Sequence, residues 1–300
     1  MFSIIIPTYN RDAILERSLD SVCSMDGVDT CEILVVNDGS TDATASVLAA
    51  AASKYGNVRE LRKQNSGPGE ARNYALEQAS FERILFLDDD IFPDPGLLAA
   101  HRQALEGSSD VSQGNMIWHE DLAGDEVIRF MDARGMQFRL DRYADGARLP
   151  YRNVYTANLA MFRHDAFRIG GFDKAFAARR YAFEDTAFAW RLEKGGCRIT
   201  FTAAAKARHL HPMTEEGLLL RERAVGFGMA VARRRYPEIA KDFNFDAIMR
   251  FAKPQLALAR MVEASGAARL FGRDFRRRLA LRRAFLEGAL DGAGQSGGAV

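Results

Sequence analysis

Along the first 90 positions the apolar residues fall in short β-branched runs. Residues 3–7 read SIIIP, 32–37 read EILVVN and 83–87 read RILFL, with a weaker run at 57–61. Runs of this length bounded by polar clusters predict buried strands. Between them the pattern changes period. Ile14, Leu15, Ser18, Leu19 and Val22 share one helical face, and residues 42–53 form a second helical stretch for which Ser40, Thr41 and Asp42 offer caps. A third helix is expected to start near Pro68. Strands alternating with helices predict βαβ units, hence an α/β fold with a mainly parallel central sheet and flanking helices. Ligands of such sheets gather at the carboxyl ends of the strands. The polar clusters sit there: Thr8-Tyr9-Asn10 after the first strand, Asp38-Gly39-Ser40 after the second, and Asp88-Asp89-Asp90 after the fourth.

Beyond residue 107 the pattern is mixed, with a helix expected over 125–137, another over 184–194 and a strand over 198–202. From Glu215 onward it is helical, interrupted at Pro237 and Pro254, and residues 292–300 are too small and polar to pack. The expected division is therefore 1–107, 108–212, a helical C-terminal region over 213–291 and a disordered tail over 292–300.

Composition narrows the picture. With 47% hydrophobic residues over 300 positions there is material for a sizeable core, so disorder is not the default. A net charge of +1 gives no global basic field, and no nucleic-acid partner is expected. Cys23, Cys31 and Cys197 are odd in number and lack C-x-x-C spacing, which fits a reducing compartment. No leader-like start and no apolar run near 20 residues is present, so a cytoplasmic protein is expected, at most leaning on the inner face of a membrane. Residues 269–283 hold seven arginines against one aspartate. With Phe271, Phe275 and Leu279 spaced four apart, this stretch suits either a peripheral membrane contact or an apolar stripe packed on the catalytic domain or a second subunit.

Several residues suggest chemistry, each beside a plainer role. Asp88-Asp89-Asp90 supplies hard oxygen ligands of the kind a Mg²⁺ or Mn²⁺ bridging a diphosphate requires, though an isolated acidic turn is common. Asp38 is placed to accept a hydrogen bond from a base, or to form an Asx-turn or helix cap. Glycines before Pro68 let backbone approach a ligand, and Arg72 can point towards a base or phosphate, unless this is an ordinary turn. Glu184 and Asp185 open a helix, where acids often simply stabilise the first turn, but where an ionised carboxylate could also take a proton from an acceptor hydroxyl. His209 and His211 alternate on an extended segment and so share a face, and one of them could complete a metal shell begun by Asp90.

Taken in order, SIIIPTYNR (3–11), VVNDGSTD (35–42), NSGPGEARN (65–73), FLDDD (86–90), ANLAMFR (157–163), GGFD (170–173) and FEDTAFAWRL (183–192) resemble family 2 glycosyltransferases of the GT-A fold. The resemblance covers residues 2–212. It implies an inverting transfer from a nucleoside-diphosphate sugar of the UDP, GDP or TDP type to an acceptor hydroxyl on a glycan or lipid-linked glycan, with Mn²⁺ or Mg²⁺ as cofactor. Pro7, Thr8, Tyr9, Asp38, Arg72, Asp88 and Asp89 would face the nucleotide, with Asp88 near the ribose. Asp90 would bind the metal with His209, and with His211 in reserve. Asp185 would be the base and Glu184 would orient the acceptor, while Asn158, Gly171, Phe172 and Asp173 match the acceptor-side loop. The Q-x-x-R-W element of processive members is absent at 221–228, which points to transfer of one or a few sugars. Two rival readings carry other marks: a sugar-phosphate nucleotidyltransferase would want a glycine-rich signature where PTYNRDA stands, and a non-catalytic nucleotide-sugar-binding or scaffolding protein would be marked by loss of Asp90 or Asp185.

Overall fold

A computed structural model describes residues 1–176 and 182–294. Its centre is an eight-stranded mixed sheet in the order β3-β2-β1-β4-β7-β6-β8-β5. The strands are β1 (Ser3–Thr8), β2 (Glu32–Asn37), β3 (Val58–Arg62), β4 (Arg83–Leu87), β5 (Ile91–Pro93), β6 (Val111–Trp118), β7 (Asn158–Phe162) and β8 (Ile199–His209). In the first half β3, β2, β1 and β4 are all parallel, as the alternating pattern predicts. The apolar runs of β1, β2 and β4 are buried on both faces: Ile4, Ile5, Ile6, Ile33, Leu34, Val35, Val36 and Leu85 have no accessible surface. The second half is mixed, with β7 antiparallel to β4 and β6, and β8 parallel to β6 and antiparallel to β5.

The helices are α1 (Asp12–Val22), α2 (Thr44–Lys54), α3 (Pro68–Gln78), α4 (Leu97–Glu106), α5 (Glu126–Ala133), α6 (Arg163–Arg168), α7 (Glu184–Lys194), α8 (Glu215–Arg235), α9 (Pro237–Asp242), α10 (Phe245–Arg250), α11 (Ala252–Ala264) and α12 (Arg273–Gly294). Pro68 opens α3 after Gly67, whose φ of 94° suits only glycine without strain. The helix expected over 125–137 is shorter, and the reason is local. Asp125 caps it by accepting from Val127 N and Ile128 N, and Gly135 at φ 58° closes it with the paired bonds Gly135 N to Asp132 O and Met136 N to Met131 O.

The strand expected over 198–202 instead runs on to His209. Beyond the alanines at 203–205, which fall in a break of register, residues 206–209 pair with β6, and residues 207–209 pair with β5 as well. A bulge between Gly114 and Asn115 absorbs the change of register. Pro237 does break the helical region, at the start of α9, whereas Pro254 sits in the first turn of α11.

One apolar core runs from Phe2 to Ala289. It draws on both halves of the sheet and on α8, α9 and α12, so the expected segments share a common interior. Where α8 and α12 meet, glycine permits the approach: a Cβ on Gly226 would lie 2.1 Å from Phe285 O, and one on Gly288 would lie 1.9 Å from Arg223 O. The chain expected to fray from residue 292 is thus helical to Gly294, with Gly292 buried against Phe227 and Ala230. Residues 295–300 of that expected tail lie outside the described residues.

Candidate active site

Parallel pairing aligns the carboxyl ends of β1, β2 and β4 and brings the polar clusters together. Pro7 is buried within β1, Thr8 ends that strand, and Tyr9 is exposed just beyond it. Thr8 Oγ1 donates to Asp89 Oδ2 at 2.7 Å, and Ser18 Oγ donates to Asp89 O at 2.7 Å, so α1 and β1 together fix the acidic turn. Asp38 neither caps α2 nor forms the Asx-turn, which Asn37 makes with Ser40 N. Its carboxylate instead gathers the β3–α3 loop, accepting from Lys63 Nζ at 2.9 Å, Ser66 N at 3.0 Å and Gly67 N at 2.8 Å. The glycine-containing loop is therefore organised around Asp38, and one carboxylate sets the path of backbone at the pocket's edge.

Asp90 stands at the centre of a second group. His209 Nε2 lies 3.1 Å from Asp90 Oδ1 and His211 Nδ1 lies 2.8 Å from Asp90 Oδ2. Both rings reach one carboxylate because they alternate on the extended end of β8, nearly parallel at 5.5 Å. Leu210 N donates to Asp90 O, pinning the turn to that strand. The three side chains can offer ligand atoms within 4.8 Å of one another. Both Asp90 Oδ1 and His209 Nδ1 are buried; Oδ1 faces His209 Nε2 at 3.1 Å outside hydrogen-bond geometry, and His209 Nδ1 has no hydrogen-bond partner. A buried carboxylate oxygen left in that state is costly, and a cation relieves it. The mixed oxygen and imidazole set could hold Mn²⁺, and suits Mg²⁺, which prefers oxygen and water, less well.

A cation already reaches this cradle. Arg11, at the start of α1, places Nη2 2.5 Å from Asp90 Oδ2 and 3.3 Å from His211 Nδ1, with Nε 3.8 Å from Asp89 Oδ1. Burial pushes Asp90 upward, but His209, His211 and Arg11 outweigh it and hold its carboxyl well below the usual carboxylate range. Asp89 takes the other direction: burial and the charge of Asp90 raise it to about 7. In the sequence Arg11 stands only as the last residue of the SIIIPTYNR motif, and its place beside Asp90 is not legible there. The available signal was a lone cation following β1 at the same sheet edge as three aspartates.

Arg72 links this group to the acids of α7. It is 3% exposed, with Nη2 2.5 Å from Asp88 Oδ1 and Nη1 4.0 Å from Glu184 Oε1. Its Nε and Nη1 have no hydrogen-bond partner. Phe172 supports the guanidinium from 5.5 Å and stacks on Phe188 with centroids 4.0 Å apart. Burial and the neighbouring Asp185 push Glu184 up to about 7. Asp185 is also raised, chiefly by burial, against the Thr186 N–H that donates to it at 2.7 Å and the charge of Arg72. Tyr155, its phenol raised by burial and by Asp185, forms part of the same surroundings.

The turn into α7 is strained. Phe183 has φ 104° and ψ −4°, an unfavourable backbone for a bulky residue. It is braced from behind by α8, where a Cβ on Gly228 would lie 1.8 Å from Ala182 O and 2.9 Å from Phe183 Cβ.

The fold engages all four residues expected on the acceptor side in contacts of its own. Asn158 is fully buried, with Oδ1 2.9 Å from His101 Nε2 and Nδ2 donating to Ala205 O at 2.9 Å, so neither end of its amide is free for an acceptor. Gly171, at φ 68°, gives its carbonyl to Arg191, and Phe172 is core. Phe172 N and O are both bonded by Asn73. The Asp173 side chain is 7% exposed and accepts from Arg235 Nε, the Tyr236 hydroxyl and Ala175 N, tying this loop to the end of α8. A loop match places these residues near the site but says nothing of which way each side chain faces.

Residues 3–171 match the family described as "Glycosyl transferase family 2". The chain is 25% identical over 259 residues to the chondroitin synthase of Escherichia coli, a match covering 76% of this chain and 37% of that protein's length. Among solved structures, a mannosyltransferase from Pyrobaculum calidifontis in complex with GDP-Man and Mn²⁺ superposes with a TM-score of 0.67 at 19% identity, over 99% of this chain and 88% of that one. Residues 1–349 of S. aureus TarS in complex with UDP give a TM-score of 0.57 at 20% identity, over 97% and 90% of the two chains. At these identities the structural likeness shows a shared fold, and it extends through the helical C-terminal region.

Proposed function

The chain belongs to glycosyl transferase family 2, and from that premise we propose that it is an inverting, metal-dependent glycosyltransferase acting on a nucleoside-diphosphate sugar. The observation that carries this reading is one continuous run of charge. Asp90 with its two imidazoles, Arg11, Asp88, Arg72, Glu184 and Asp185 adjoin one another at the carboxyl edge of the sheet. A diphosphate leaving group needs positive charge beside it, and an attacking hydroxyl needs a base; this run offers both.

In the proposed reaction Asp185, ionised, takes the proton of the acceptor hydroxyl as that oxygen bonds to the anomeric carbon. The bond from that carbon to the diphosphate breaks in the same displacement, with inversion, and the electron pair leaves with the nucleoside diphosphate. Glu184, pushed up to about 7, is available near neutral pH as a proton-bearing partner that orients the acceptor. Arg72 keeps Asp88 in place for the ribose side of the donor and steadies the acids behind it. Asp90, His209 and His211 would hold a Mn²⁺, or less favourably a Mg²⁺, which supplies charge opposite the departing diphosphate. Arg11 leaves Asp90 for the diphosphate oxygens, matching its two-pronged donor geometry to them.

UDP and GDP are the donor nucleotides best supported, since the TarS structure holds UDP and the mannosyltransferase holds GDP-Man. The acceptor is proposed as a glycan or lipid-linked glycan, extended by one or a few sugars. The deciding experiment pairs a thermal-shift panel of UDP, GDP and TDP, with and without Mn²⁺, with a transfer assay on Asp185→Asn. A metal-dependent shift together with transfer abolished in the variant, its nucleotide shift kept, supports the assignment. Loss of nucleotide binding in Asp185→Asn would remove Asp185 from the base role.

A further inference from the structure

We propose that the face formed by α11, the turn after it and the first turns of α12 docks on an anionic lipid bilayer. Among the described residues, ten large hydrophobic side chains are exposed, and five of them fall within residues 251–271: Phe251, Leu258, Met261, Leu270 and Phe271. This is a concentration, and ordinary exposed apolar residues are scattered. The stripe of Phe271, Phe275 and Leu279, open in the sequence to membrane contact or to packing on the protein, is divided in the fold. Phe275 and Leu279 are partly buried and Arg277 is buried over Phe130, while Leu270 and Phe271 stand out before the helix begins.

Their presentation is built. A short 3₁₀ turn, Ala267–Leu270, enters through Gly266 at φ 73° and leaves at Gly272, and puts two consecutive large apolar residues at a tip, Leu270 being 86% exposed. On α11, Leu256 and Ala259 are buried while Leu258 and Met261 occupy the outward face.

Charge identifies the occupant. Residues 250–283 hold ten basic side chains against two acidic ones. Some are matched: Arg260 pairs with Glu287, Arg273 with Glu126, Arg277 with Glu215, and Arg283 with Glu263. Arg250, Lys253, Arg269, Arg276 and Arg278 are exposed, and none is among the ion pairs of the described residues. Unmatched cations interleaved with projecting apolar tips are the features a fluid anionic surface satisfies. No described helix is long and apolar enough to cross a membrane, so the contact is peripheral. None of these residues belongs to the active site, and the proposal stands or falls apart from the transferase assignment.

The test is sedimentation of the full chain with sucrose-loaded vesicles of phosphatidylcholine, alone or with about a third phosphatidylglycerol. Expected are binding that requires phosphatidylglycerol, weakens when salt is raised, and drops at least about tenfold both in Leu270→Ser/Phe271→Ser and in Arg269→Gln/Arg276→Gln/Arg278→Gln. Melting temperatures of these surface variants should match the wild type, which separates lost docking from lost folding. Absence of vesicle binding at low salt overturns the proposal, as does binding that both variants retain. A dimer in light scattering that Leu270→Ser/Phe271→Ser dissociates would also overturn it, giving the face to a second copy of the chain.

Discussion

Replacing Arg11 by glutamine removes a cation from the metal cradle while keeping most of the side chain's length. In the structure its guanidinium lies 2.5 Å from an Asp90 carboxylate that is only 6% exposed, while the arginine itself is 29% exposed. Hydrogen bonds to charged groups contribute about 1.5–3 kcal/mol, and partial exposure of the arginine favours the lower end. A divalent ion entering the wild-type site must displace that interaction. Without it, nucleotide-free Mn²⁺ affinity should rise roughly tenfold, the equivalent of about 1.4 kcal/mol. Titration calorimetry, or the free-Mn²⁺ electron paramagnetic resonance signal, reads this directly without any transfer assay. The metal-free variant should also melt lower than wild type, because Asp89 and Asp90 lose the cation between them, and Mn²⁺ should restore it. A nucleotide-free affinity within about twofold of wild type would refute the competition. A wild type that binds no Mn²⁺ at all, with or without nucleotide, would instead refute the metal site.

Two further substitutions probe other parts of the site. Glu184 is raised from 4.5 to about 7 in the fold, so its stabilising contribution is full below the unfolded value and is lost as pH rises through the folded one. The melting temperature of wild type relative to Glu184→Gln should therefore fall between about pH 5 and pH 8, and parallel melting profiles would show that the shift is not present. Asn158→Ala should cost about 2–3 kcal/mol of stability by leaving His101 Nε2 and Ala205 O without their partner in the core. Measured by urea unfolding, that loss should come without a change in acceptor KM, whereas a raised KM in a stably folded variant would return Asn158 to the acceptor side.

Legibility in the sequence followed local pattern. The parallel half of the sheet was readable because both faces are buried and the strands are continuous apolar runs, and α7 because its apolar positions keep helical spacing. β8 was only half readable: its second part is alanine-rich and is made a strand by its neighbours. The acidic turn and the two histidines were found as types, but their convergence on Asp90 depends on pairing Ile91 with His209, a contact across more than a hundred residues. Arg11 escaped because an arginine at a helix start looks like any solvated cation until Asp90 is placed beside it. For Asn158 and Phe172 the sequence was silent on direction. A motif match fixes neighbourhood, while the bonds of Asn158 to His101 and Ala205 and the stacking of Phe172 on Phe188 decide which way these side chains turn.

The brace behind Phe183 bears on how such a chain can be remodelled. Glu184 and Asp185 follow a residue held in a left-handed conformation, and what backs it is the bare backbone of α8 at Gly228, more than forty positions later. That helix is in turn pressed against α12 at Gly226 and Gly288. The helical region is thus no interchangeable module that could be grafted from a relative to redirect acceptor choice. A graft carrying any side chain at position 228 would press on the carbonyl just ahead of the two acids, and the first thing lost would be their aim.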